Sequence, residues 1–219
     1  ANRLLVMDTL DSRDIIGQAL DRLIDEKQLV CESRDGRLLL SRPDIRRMEA
    51  ELAASFTQGG SRNPCANALQ SPEKLLAACG QDLNEGQRRA LEAAVTGTIT
   101  VITGEAGSGK TYTVNAICRA YEASDLTVTM CAPTGKAAKR MEESTGRRAS
   151  TIHRLLEYNG TDFNFEGFIS TNLLVVDEVS MVDVPLFWHL MRAVNLDKTA
   201  LVLVGDHHQL PPVGPGNVL

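Results

Sequence analysis

Apolar residues along the first quarter of the chain keep two different periods. Ile15, Ile16, Ala19, Leu20, Leu23 and Ile24 recur at helical spacing, and Asp11 or Ser12 stands where the N-cap of that helix belongs. Residues 29–32 and 37–40 then flank Arg34-Asp35-Gly36, a turn sequence suited to a β-hairpin. Pro43 sits where a second helix opens, running to about Phe56. Turn formers crowd residues 57–64, which read as a linker. From about residue 81 the rhythm changes. Apolar, β-branched runs at 99–103, 126–131, 173–176 and 201–204 alternate with helical segments at 111–122, 135–145 and 183–194. Strands apolar on both faces and separated by helices predict a parallel sheet covered by helices, hence an α/β layout.

The map that follows has a small module at 1–60, a linker and helix at 61–80, and a larger α/β domain at 81–219. Helix, hairpin, helix is the outline of a winged-helix-like α+β module; such modules bind DNA in some proteins and serve as packing pieces in others. Hydrophobic residues make up 43% of the 219, enough for a real core. No apolar run approaches the roughly 18 residues of a membrane span, so no membrane partner is expected. Five scattered cysteines, none in a C-x-x-C pair, give no zinc pattern and no even disulfide framework. They are read as reduced thiols of a cytoplasmic protein. The net charge of −5 argues against a generic nucleic-acid binder. Local charge differs: Lys136, Lys139, Arg140, Arg147, Arg148 and Arg154 form one basic stretch, and Arg34, Arg37, Arg42, Arg46 and Arg47 another. Each is either a phosphate track or a solvated surface.

The chemistry concentrates after residue 99. Gly104, Glu105, Ala106, Gly107, Ser108, Gly109, Lys110 and Thr111 fit G-x-x-x-x-G-K-[ST] in full, between an expected strand and an expected helix. The glycines let successive N–H groups point at phosphate oxygens, and the helix N-terminus adds positive potential. Lys110 would reach the β- and γ-phosphates of ATP, and the Thr111 hydroxyl would ligate Mg²⁺. A buried strand ending in Asp177 and Glu178 would face that loop, because ligands of parallel sheets lie at the carboxyl ends of strands. Asp177 would hold Mg²⁺ and Glu178 would polarise the attacking water, a hydrolase pattern. After the next strand, the side-chain amide of Gln209 is placed to sense the γ-phosphate. His207 and His208 are neighbours, and adjacent histidines point apart on most backbones, so a metal role is not expected.

These pieces together resemble the superfamily 1 DNA helicases, and specifically the RecD-like branch, the alpha-subunit family of exodeoxyribonuclease V. Ala132-Pro-Thr-Gly-Lys136-Ala-Ala-Lys-Arg140 is similar to motif Ia, Ser150-Thr-Ile-His153-Arg-Leu-Leu156 to the segment downstream of it, and Val175-Val-Asp-Glu-Val-Ser-Met181 to motif II. Val204-Gly-Asp-His-His-Gln209-Leu-Pro-Pro-Val-Gly-Pro-Gly-Asn-Val218 is similar to motif III of that branch. The resemblance covers residues 81–219 and implies a RecA-like P-loop domain, the first of two in a motor. It implies that Gln87 reads adenine, and that Pro133, Thr134, Gly135, Lys136, Thr151 and His153 lie along single-stranded DNA. Small residues and exposed N–H groups suit close approach to a phosphate backbone. A core or capping role for His153 remains the alternative. Family members carry a pin hairpin between these segments and motif II; residues 157–170, with Phe163, Phe165 and Phe168, fill that place either as a wedge or as a loop with inward aromatics.

The implied function is an ATP-dependent DNA helicase or translocase motor in recombination or repair, with ATP and Mg²⁺ as cofactors. Its expected partners are single-stranded DNA, a second RecA-like domain of the same polypeptide and recombination-complex subunits. Motors of this class take an arginine from the second domain, and no arginine follows motif III before Leu219, so this chain is expected to be part of a longer one with weak turnover alone. Two rivals are a nucleotide-gated docking module without turnover and the helicase part of a conjugative relaxase. A small-molecule kinase is a third, and it would not need the 132–140 and 150–156 segments.

Overall fold

The computed structural model describes residues 10–34, 36–58, 62–79, 82–105, 107–206 and 208–218. Ala106, His207 and Asp35 lie outside the described residues. The chain divides into two compact units, Ala1–Glu51 and Leu52–Leu219.

In the first unit, helix α1 (Leu10–Asp25) is followed by strands β1 (Val30–Arg34) and β2 (Arg37–Ser41) and by the start of α2 (Pro43–Gln58). The strands pair antiparallel, with Arg34 opposite Arg37, as the Arg-Asp-Gly turn requires. The helix begins ahead of Asp11 and Ser12, so neither is its N-cap; the first turn has recruited both. Most of the basic group here is spent locally. Arg42 pairs with Asp44 at 2.6 Å, Arg46 with Glu32 at 2.7 Å, and Arg47 with Glu51 at 3.9 Å. A solvated, self-compensated surface is therefore the better description of these arginines.

The second unit is a five-stranded, all-parallel sheet in the order β3-β7-β6-β4-β5. The strands are β3 (Ile99–Thr103), β4 (Val128–Ala132), β5 (Ala149–Thr151), β6 (Leu173–Val176) and β7 (Ala200–Gly205). Every residue of β6 and β7 is buried, whereas the outer strands β3 and β5 are partly open. That gradient is why the central strands are uninterrupted apolar runs. Helices α3 (Pro72–Cys79), α4 (Glu85–Thr96), α5 (Lys110–Glu122), α6 (Gly135–Thr145), α7 (Ile152–Leu155) and α8 (Val184–Arg192) complete the unit.

The core gathers Leu91, Ile117, Tyr121, Met130, Leu173 and Val202 between α4, α5 and the sheet. Asn63 belongs to it. Its buried amide donates to the Ala94 carbonyl at 2.8 Å and to the Tyr121 hydroxyl at 2.6 Å. Residues 62–70 are thus anchored and not a free tether, because a buried amide needs partners that only the core supplies. Burial pushes the Cys118 and Cys131 thiols up to about 12, so neither ionises near neutral pH. Among the described residues, no helix is long and apolar enough to cross a membrane.

Candidate active site

The loop after β3 is shaped by its glycines. Gly107 and Gly109 adopt φ +83° and +82°, a region that side chains disfavour, and a Cβ on Gly104 would meet the Ser108 hydroxyl at 2.6 Å. Gly109 is also the residue that starts α5, and no side chain caps that helix. This sets α5 apart from its neighbours. Asn84 caps α4, Thr134 caps α6, Thr151 caps α7 and Asp183 caps α8. The first N–H groups of α5 therefore keep their donors and the local positive potential for an anion. Lys110 folds over the same loop, its ammonium donating to the carbonyls of Gly104 and, at 3.0 Å, of Glu105.

Asp177 and Glu178 follow β6 directly. The Asp177 amide donates to the Cys131 carbonyl at 2.9 Å, which ties the end of β6 to β4. The Asp177 carboxylate accepts from the Glu178 amide at 2.9 Å. Burial holds its pKa above the usual carboxylate range, and the charge of Glu178 adds to this; the Glu178 amide, Lys110 and Arg140 oppose it. Glu178 itself sits at φ +53°, uncommon for a residue with a side chain. Strain of this kind persists only where the surroundings enforce it. Among the described residues, neither the Glu178 carboxylate nor the Thr111 hydroxyl has a hydrogen-bond partner in the protein.

The decisive arrangement is one cleft of about 480 Å³. Lys110 and Thr111 from α5, Asp177 and Glu178 after β6, and Gln209 after β7 all line it. Gln209 is not at the strand tip itself but on a turn held by Asp206, whose carbonyl accepts from the Gln209 amide and whose carboxylate accepts from His208. Glu105, Gly107 and Gly109 line the cleft too, whereas Gly104 and Ser108 support the loop from behind. The donor set suits a triphosphate with a hard cation. Main-chain amides and a lysine are donors of the kind that bind anions, and a hydroxyl and a carboxylate are oxygens of the kind that Mg²⁺ prefers.

Gln87 does not line the cleft. Its side chain completes a capping box, accepting from the Asn84 amide at 3.1 Å, and its amide nitrogen reaches the Ser108 carbonyl at 3.5 Å. The residue is thus wedged between the start of α4 and the back of the glycine-rich loop, packed against Gly109.

The segments read as a DNA track leave the same carboxyl edge of the sheet, but from β4 and β5, on the side away from β3. Ala132 pairs with Thr151 across β4 and β5, so residues 133–136 and 151–153 leave neighbouring strand ends. Their hydroxyls already have work. Thr134 accepts from the Ala137 amide at 3.2 Å and Thr151 from the Arg154 amide at 3.1 Å. His153 stands among aromatic rings, 5.2 Å from Tyr158 and 5.8 Å from Phe163. Gly135 faces open space and Lys136 is exposed. Of the segment 157–170, the only strand-like pairing among the described residues is a single bridge between Tyr158 and Phe163. Phe163 also packs 4.3 Å from His189, and Phe168 stays exposed.

Motif reading overlooked the wall contributed by α6. Ala137, Arg140, Met141, Ser144 and Thr145 line the cleft at helical spacing, a stripe legible from the sequence once residues 135–145 are read as a helix.

Residues 87–215 match a family model described as an AAA domain. The ATP-dependent RecD2 DNA helicase of Deinococcus radiodurans is 38% identical over 184 residues, covering 83% of this chain and 25% of that protein. The RecD subunit of the RecBCD enzyme from Haemophilus influenzae is 34% identical over 167 residues, covering 64% of this chain and 26% of that subunit. Its counterpart in Mycolicibacterium smegmatis is 37% identical over 163 residues, covering 62% and 29%. The chain thus spans about a quarter of the length of these relatives, and the resemblance to RecD-like proteins drawn from its motifs is borne out.

Proposed function

This chain belongs to the AAA domain family, and from that premise we propose that it is the ATP-binding half of an ATP-dependent DNA helicase motor. The observation that carries the reading is the convergence of Lys110, Thr111, Asp177, Glu178 and Gln209 on one cleft beside an uncapped helix. In this proposal the loop amides and Lys110 bind the phosphates. Thr111 and Asp177 hold Mg²⁺, which when bound supplies positive charge against the phosphate oxygens. The Glu178 carboxylate, lining the cleft, accepts a proton from water. Gln209 donates its amide to the terminal phosphate. Gln87 reads the base with the amide donor and acceptor capacity that its Asn84 and Ser108 contacts leave over.

The partners proposed are single-stranded DNA, along residues 133–136 and 151–153, and a second RecA-like domain that closes the cleft and supplies an arginine. Relatives described as RecD subunits of the RecBCD enzyme support recombination-complex partners and a role in recombination or repair. The helix–hairpin–helix order of residues 10–58 supports a winged-helix-like module ahead of the motor.

Turnover measured with and without oligonucleotide tests the proposal on the longer polypeptide that carries both motor domains. Single-stranded DNA is expected to raise ATP hydrolysis at least tenfold, and Lys110→Ala to abolish it. Hydrolysis indifferent to DNA would sink the motor, and binding without hydrolysis would point to a docking module instead.

A further inference from the structure

Helix α6 turns two different faces to its surroundings. Lys136, Lys139 and Glu143 are exposed, with Lys139 and Glu143 paired at 3.8 Å. Arg140 faces the cleft with Ala137, Met141 and Thr145. Arg147, just beyond the helix, is clamped by both oxygens of Glu122 and serves the fold. Arg140, in contrast, has no hydrogen bond or ion pair among the described residues. It and Lys110 are the cations among the described residues lining the cleft, against Glu105, Asp177 and Glu178. A guanidinium offers five donors in a planar fork that matches phosphate oxygens, and a solvated arginine with no partner has no structural duty to leave. Arg140 lines the same cleft as Asp177, Glu178 and Gln209, the residues proposed to face the cation and the end of the phosphate chain.

We propose that Arg140 is a nucleotide-contacting residue supplied by α6, donating to the terminal phosphate of a bound nucleoside triphosphate and distinguishing triphosphate from diphosphate. This rests on the cleft being a nucleotide site. The consequence is mechanical. The first turn of α6 follows Thr134, in the segment proposed to meet DNA, and Arg140 lies less than two turns further on, about 8 Å along the axis. One rigid helix then carries the triphosphate contact at one end of a short lever and the DNA rim at the other.

The test measures binding of fluorescent, non-hydrolysable ATP and fluorescent ADP, both with Mg²⁺, to this 219-residue chain and its variants. Arg140→Ala is expected to weaken the triphosphate at least fivefold and the diphosphate less than twofold, with an unchanged melting temperature. Arg140→Lys should fall between, keeping the charge but losing the fork, and it supplies the same ratio should the alanine variant misfold. Lys110→Ala should weaken both nucleotides. If Lys110→Ala weakens both while Arg140→Ala changes neither, or lowers both equally, the assignment of Arg140 is overturned and the cleft reading survives. If neither substitution alters binding, the nucleotide site itself falls, and this inference with it.

Discussion

The cleft and the β4–β5 rim are built at the same edge of one sheet, yet they treat their polar side chains in opposite ways. In the cleft Lys110 and Asp177 bond only to the local main chain, the Glu178 carboxylate and the Thr111 hydroxyl are unbonded among the described residues, and the first amides of α5 have no side-chain cap. At the rim the polar groups are satisfied by the fold. Thr134 and Thr151 cap helices, and His153 packs on Tyr158 and Phe163. A site for a multiply charged ligand must hold strong donors in reserve and tolerate strain, as Glu178 does at φ +53°. A surface that meets a repeating backbone can use amides, small residues and diffuse charge while its side chains hold the structure together. Side-chain identity therefore speaks clearly about the cleft and only indirectly about the rim.

The largest expected effect sharpens the cleft side of this contrast. Glu178→Gln keeps the shape and the hydrogen-bonding amide before it but removes the proton acceptor. Turnover by the polypeptide carrying both motor domains should fall at least about a hundredfold. Nucleotide affinity should change little. A loss confined to affinity would mean that Glu178 binds but does not activate water. Gly109→Ala comes next. The φ of +82° costs an alanine about 1–2 kcal/mol, and its Cβ would displace the Gln87 amide from the back of the loop. Nucleotide affinity is expected to fall roughly tenfold, and calorimetric titration with ADP reads it.

The rim is tested through its caps. Thr134→Ala and Thr151→Ala should each remove about 1 kcal/mol of stability, a drop of about 2–4 °C in melting temperature for a chain of this size. DNA affinity should shift no more than that loss of order implies. A tenfold loss of DNA binding at an unchanged melting temperature would break the comparison, because the hydroxyls would then be ligands and not caps.

How much of this was legible beforehand follows the same line. β3 and β6 were readable to the residue, β6 because a strand apolar on both faces announces itself and β3 because its β-branched run stops at Gly104. The phosphate loop, Asp177, Glu178 and Gln209 were readable because their chemistry needs fixed residue types at fixed spacing. β5 and α7 were not, since three and four residues are too few to set a period. The anchoring of Asn63 escaped because turn-forming composition resembles a linker until Tyr121 and Ala94 are brought 2.6–2.8 Å away. Thr134 carries a legible signal, a threonine directly before a helix, whereas the single turn after Thr151 is too short to announce its cap. The motif alone does not single out Arg140, because only the helical face of α6 tells which of Lys136, Lys139 and Arg140 turns inward.

The smallest effect bears on the cost of keeping groups in reserve. Burial raises the Asp177 pKa, so the ionised folded state is penalised relative to the unfolded chain. For a carboxylate raised in this way, stability declines as pH climbs from the ordinary value of 3.8 through the folded-state value, and the penalty is fully present above it. Asp177→Asn removes the charge while its side-chain oxygen still accepts the Glu178 amide. At neutral pH the variant should melt about 1–3 °C higher than the parent, a shift of under 1 kcal/mol. The gain should shrink as pH falls and vanish below the ordinary carboxylate range, where both side chains are neutral. Magnesium-dependent turnover should be lost in the same variant. Melting curves from pH 3 to 8 decide the matter. A lower melting point for the asparagine form at neutral pH would mean that Lys110 and Arg140 more than offset the burial, and that the carboxylate is held by the fold as firmly as the caps of the rim.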